Sequence, residues 1–228
     1  MIAIIPDILL LFFPFLMLAF KLFLTQAQTA HKNFAFAYLF ILLICQNFVL
    51  IGDTQVYFSN WQIDTFGIFM REIFTLSALL ALLLSENYFK HSMSEKPRLL
   101  HFSEFAAAIG FATFGGVAVV SANDLLTLFL GLELATIPMY ALVAWNKRDS
   151  EGTEAAIKYI LMGSVATAFE LFGFSYLYGF AGHLTFPEIT SALQTNQASP
   201  LVWISILFII SGIGFKMRVF EINAAYLI

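Results

Sequence analysis

The sequence predicts an all-α fold, a polytopic transmembrane bundle of about seven helices, on three observations. Hydrophobic residues make up 60% of the 228 positions and charged residues only 11%, against roughly 25% charged in a soluble globular chain. At about 20 apolar residues per crossing of roughly 30 Å of hydrocarbon, that content supplies about seven spans. The runs are apolar all round instead of alternating in short segments, which excludes a membrane barrel. A soluble enzyme is excluded by the same composition.

The spans fall near residues 4–24, 34–51, 66–89, 102–120, 125–145, 154–180 and 201–215, the last being marginal in length. The first is read as a span, because residues 1–20 hold no basic n-region and no small-residue cleavage site. Between the second and third spans, Val56, Phe58, Trp61 and Ile63 are spaced about Ser59 and Asn60, which predicts a small hairpin at 54–66 on the outer surface. In span four, Ala108, Ala112 and Gly116 recur every four residues and offer a close-packing face. Asn123 and Asp124 cap span five, and the polar stretch 182–200 reads as an exposed outer loop.

Basic residues alternate between links. Lys21 and Lys32 follow span one, Lys90, Lys96 and Arg98 span three, Lys147 and Arg148 span five, and the links after spans two, four and six hold none. The positive-inside rule then sets the N-terminus outside and the links after spans one, three and five inside. Arg71 is the misfit, expected to snorkel at the outer end of span three beside Glu72.

Several chemistries are excluded. A net charge of −4 without a Lys/Arg run argues against nucleic acid as a partner. The single Cys45 excludes an internal disulfide and a thiolate metal site. His31, His91, His101 and His183 fall in links or at span ends, which argues against haem between facing helices. No phosphate loop or nucleophile triad is visible, so no catalytic, cofactor-binding or metal-ligating residue is assigned.

The informative residues are intramembrane charges. Glu133 lies eight residues into span five, about 12 Å deep, where a carboxylate costs about 2.5 to 3.5 kcal/mol and must face water or a partner. Pro138 has no N–H for the Leu134 carbonyl, leaving an acceptor for water beside Glu133. Lys158 follows Glu154 by four residues on one face of span six, a spacing that suits either an ion pair or a functional lysine. Glu170 is about 120° round that helix from Lys158 and is not expected to pair with it. Gly212 and Gly214 weaken the last helix next to Lys216, a pattern of helix break and hydration, although Lys216 and Arg218 could equally just end the span.

The segments Gly-Leu-Glu-Leu at 131–134, Pro-Met-Tyr-Ala-Leu-Val-Ala at 138–144, Glu-Ala-Ala-Ile-Lys-Tyr-Ile-Leu-Met-Gly-Ser at 154–164 and Leu-Phe-Gly-Phe-Ser-Tyr-Leu-Tyr-Gly-Phe-Ala-Gly at 171–182 resemble the antiporter-like subunit N of proton-pumping NADH:quinone oxidoreductase, respiratory complex I, whose mitochondrial counterpart is NADH dehydrogenase subunit 2. The chain is more distantly similar to subunits of multisubunit cation/proton antiporters. The resemblance implies one membrane domain over 1–228, the N-terminal part of an antiporter-like fold. Residues 1–122 would be its first four helices with the hairpin, 123–217 the start of the proton-translocating repeat, and 218–228 a divergent tail that makes the chain a truncated relative.

The resemblance further implies that Glu133, Lys158 and Lys216 carry protons or modulate one another, and it assigns no role to Glu170. It implies no redox centre in this chain, the NADH, FMN, iron–sulfur clusters and quinone of the complex belonging to other subunits. The implied partners are the other membrane subunits of complex I and the lipid bilayer. The implied location is a bacterial inner membrane or an organellar membrane. The chain would be an enzyme only as a subunit of the translocase, not catalytic in isolation. Two other readings stay open, a non-conducting structural or assembly subunit and a cation/proton antiporter subunit.

Overall fold

The structure is a computed structural model and describes residues 2–23, 28–47, 55–92, 98–145, 150–195 and 199–217. A short 3-10 turn, Ile2–Ile4, leads into helices α1 (Ile5–Phe23) and α2 (Gln28–Asn47). Strands β1 (Gln55–Tyr57) and β2 (Trp61–Ile63) precede α3 (Thr65–Ser92), α4 (Arg98–Ser121), α5 (Leu125–Val143), α6 (Ser150–Ala181), α7 (Phe186–Thr195) and α8 (Pro200–Lys216). Five of these helices are long and apolar enough to cross a membrane, and Ala30–Gln46 and Pro200–Lys216 are shorter apolar helices. The chain is an all-α, multi-pass membrane protein, divided into a unit of residues 1–142 and a unit of residues 143–228. The tail 218–228 lies outside the described residues.

In the first unit, α4 packs against α1, α2 and α3. Each neighbour buries one stripe: Leu10, Phe13 and Met17 on α1, Ala35, Leu39 and Leu42 on α2, Ala78 and Leu82 on α3. These spacings of three and four residues are one face of a helix. Gly110 admits the Phe13 ring, since a Cβ there would stand 2.6 Å from it. The small-residue face of α4 differs from the one expected at Ala108, Ala112 and Gly116. A Cβ on Gly116 would stand 3.3 Å from the Phe74 ring, but the closest backbone approach is at Gly115, where a Cβ would come within 2.3 Å of the Ala135 nitrogen of α5.

The hairpin forms as the sequence predicts, antiparallel with Tyr57 opposite Trp61. Its turn takes left-handed backbone at Phe58 (φ 55°) and Ser59 (φ 61°), a conformation that favours Gly or Asn. Asn123, just past α4, holds the tip, its Nδ2 donating to Ser59 O (2.7 Å) and its backbone N to Asn60 O (2.9 Å). The caps are local: Asp64 Oδ1 accepts from Gly67 N at 2.6 Å to start α3, and Asp124 accepts from Thr127 N (2.8 Å) and Thr127 Oγ1 (2.7 Å) to start α5.

In the second unit, α6 ends at Gly182 (φ 72°), whose N–H bonds Tyr178 O at 2.7 Å. The stretch read as an exposed loop contains α7 instead. Thr185 donates its hydroxyl to Glu188 and accepts from Ile189 N at 3.0 Å, with Pro187 inside the first turn. Ile189 is its one buried residue and Phe186, Ala192 and Leu193 are half-buried, while the polar remainder is exposed, which explains why polarity concealed it.

Candidate functional site

Close packing in the second unit is set by glycines. A Cβ on Gly173 of α6 would lie 2.9 Å from Ser205 O and 2.5 Å from Ile209 on α8, and one on Gly212 would lie 2.8 Å from Ala166 O and 2.5 Å from Glu170 Cγ. As residue numbers rise on one helix they fall on the other, so α6 and α8 run antiparallel. Lys216, four residues past Gly212, is then roughly level with Gly163, about 20 Å along α6 from Ser150. It ends α8 but does so alongside the interior of α6, not beside its start.

Lys216 donates from Nζ to Glu170 Oε2 at 2.8 Å. The Glu170 side chain is 0% exposed and that of Lys216 11%. Helical side chains lean toward their own N-terminus, so on antiparallel helices these two lean toward each other. Gly212 leaves the space that the Glu170 stem fills. Helix α8 continues unbroken through Gly212 and Gly214, both buried, to Lys216.

Lys158 pairs with Glu154 at 2.7 Å, both side chains well exposed at 44% and 62%. Glu133 is half-buried on α5, where Thr136 Oγ1 bonds Leu132 O at 2.9 Å and approaches Glu133 O at 3.3 Å. Pro138 sits inside α5 without ending it. Gly115 brings the α4 backbone against Leu134 and Ala135, directly after Glu133. Of the residues singled out in the sequence, Lys216 and Gly212 come together, and the carboxylate that joins them is Glu170, to which sequence reasoning gave no role.

Arg71 needs correction too. It does not snorkel: it is 3% exposed, its Nε stands 3.1 Å from Asp7 Oδ1, and its Nη2 donates to Ser121 Oγ at 2.6 Å and to Gln62 O at 3.4 Å. Trp61 Nε1 donates to Asp7 Oδ2 at 3.0 Å. At the other end of α1, Lys21 pairs with Glu104 of α4, and His31 Nδ1 lies 3.0 Å from Ser103 Oγ. Among the described residues, no three His, Cys, Asp or Glu side chains converge to hold a metal.

Residues 122–224 match the family model described as NADH:quinone oxidoreductase/Mrp antiporter, TM. The chain is similar to NADH-quinone oxidoreductase subunit N of Heliobacterium modesticaldum, 36% identical over 197 residues, which are 85% of this chain and 40% of that protein. It is 44% identical to subunit N of Nitrosomonas europaea over 115 residues, 50% of this chain and 24% of that one. A chain of respiratory complex I from Thermus thermophilus shares the fold with a TM-score of 0.71 at 23% identity, over 93% of this chain and 44% of that chain. The chain thus spans about two fifths or less of these two subunits N and under half of the Thermus chain.

Proposed function

We propose that this chain, a relative of the antiporter-like subunits N of NADH-quinone oxidoreductase, acts as a membrane subunit of such a complex and contributes to proton translocation through Glu133, Lys158 and Lys216. The single observation that carries the reading is the position of Lys216, buried against α6 well inside the helix pair and held by a carboxylate. A lysine that merely ended a span would reach the aqueous interface. An ionisable residue kept within the bilayer is costly, and such residues mark proton relays and ion paths. Glu133, half-buried beside a proline in α5, is the same kind of group.

Lys158 fits a proton-loading position, exposed enough to exchange with water while paired to Glu154. The complex oxidises NADH in other subunits, and this chain supplies no redox group. Its N-terminus lies on the outer side of a bacterial inner membrane, and other membrane subunits cover its exposed apolar helix faces.

The test measures protons pumped per NADH in vesicles carrying the assembled complex. Lys216→Met and Glu133→Gln should each lower pumping severalfold while NADH oxidation by an artificial acceptor at the peripheral part stays unchanged. Full pumping in both variants would remove the proposal.

A further inference from the structure

We infer that Glu170 is the resident countercharge of Lys216, a positioning carboxylate that decides when that lysine passes its proton on. The inference deepens the proposed proton path and rests on it. The two groups meet at 2.8 Å, one wholly buried and the other nearly so. The site is also built: Gly212 gives up a side chain where the Glu170 stem passes, and Ala166 keeps the neighbouring turn of α6 small. Antiparallel helices aim both side chains inward along their own axes. Glu170 is twelve residues past Lys158, about 18 Å, and eleven residues before Ala181, about 17 Å, so it lies near the middle of the apolar part of α6.

Further charged groups lie on the described helices of this unit. Glu151, Glu154 and Lys158 occupy the first turns of α6, Lys158 facing Glu154. On α7, Glu188 faces His183 at 3.6 Å. On α8 itself Lys216 is the one charged residue. A proton passing from Nζ to Oε2 breaks one N–H bond, forms one O–H bond and leaves both groups neutral. A proton arriving from elsewhere at Glu170 instead releases the lysine from its partner while the lysine remains charged. In both cases the state of the carboxylate governs whether Lys216 is held or free to move toward another acceptor.

The experiment follows proton pumping against pH in vesicles carrying the assembled complex with Glu170→Gln, Glu170→Asp or Lys216→Met. Gln keeps the shape of Glu and removes its charge, so a packing role would survive it. Removing the charge that faces Lys216 should move the pH profile of pumping in Glu170→Gln away from that of the unaltered complex, and Glu170→Asp should recover most of the original profile. A Glu170→Gln profile superimposed on that of the unaltered complex, with Lys216→Met impaired, overturns the inference and leaves the proposed function standing. Intact pumping in Lys216→Met removes Lys216 from the path and the inference with it. If Glu170→Gln fails to assemble, the pair is tested by adding Lys216→Met. Recovery of assembled complex in the double variant supports it, and no recovery overturns it.

Discussion

Changing Asp7 to Asn tests whether the hairpin end of the first unit is held by one buried charge pair. Asp7 and Arg71 are each 3% exposed, and Asp7 also accepts from Trp61 of the hairpin. Removing one member leaves the other charge buried without its counter-ion, a loss of about 3 to 5 kcal/mol. Asn at position 7 can still accept from Trp61, and Arg71 retains Ser121 and Gln62, so the lower end, about 3 kcal/mol, is expected. Asp7→Asn with Arg71→Met removes both charges and should recover about 2 kcal/mol of that loss, since replacing a whole buried pair is often close to neutral. The assay is thermal unfolding of the membrane-embedded protein together with hydrogen exchange at residues 55–63. At about 1.4 kcal/mol per decade, the single variant should raise exchange there about a hundredfold if the hairpin opens with this contact. A double variant as unstable as the sum of its single changes would refute the coupling, and unchanged hairpin exchange would refute the anchoring.

Gly212→Leu places side-chain atoms where Glu170 Cγ and Ala166 O already stand, so it should destabilise the second unit by about 1 to 3 kcal/mol or more in thermal unfolding. Gly179→Ala, with nothing within 4 Å of the new methyl in the last turn of α6, should instead stabilise by up to about 0.5 kcal/mol. Ser59→Gly relieves a left-handed position and should raise stability by a few tenths to about 1 kcal/mol in the same measurement. Single cysteines introduced at Ser94 and Gln194 test the orientation: an impermeant thiol reagent on intact cells should label position 194 and spare position 94, and the opposite result would invert the topology.

The features legible in the sequence were those set by neighbours along the chain. The seven apolar runs, the hairpin about Ser59 and Asn60, and the cap at Asp124 each depend on a few adjacent residues and on period. Helix α7 was legible as well, because Thr185-Phe-Pro-Glu188 is the spacing of a capping box, but the polarity of the stretch outweighed that signal. Arg71 and Glu170 were not legible. Each is paired through space, with Asp7 at a distance of 64 positions and Lys216 at 46, and helical angles compare only residues on the same helix. An arginine at the end of a span looks the same whether it reaches headgroups or an aspartate on another helix. The glycines before Lys216 were read for their flexibility, whereas Gly212 is used for its lack of volume.

The network joining Asp7, Trp61, Arg71, Ser121 and Asn123 imposes an order on biogenesis. Ribosomes add about 5 to 20 residues per second, so Asp7 waits roughly 3 to 13 seconds before Arg71 is synthesised. During that interval the first helix carries an acid into the translocation machinery with its counter-ion still to come. The hairpin can pair locally as soon as Ile63 emerges, but its tip is fastened only when Asn123 has followed α4 out. Closure of this cluster therefore needs α1, the hairpin, α3 and the end of α4 in place together, and a nascent chain with α4 inverted would leave Arg71 without Ser121 and the hairpin tip without Asn123.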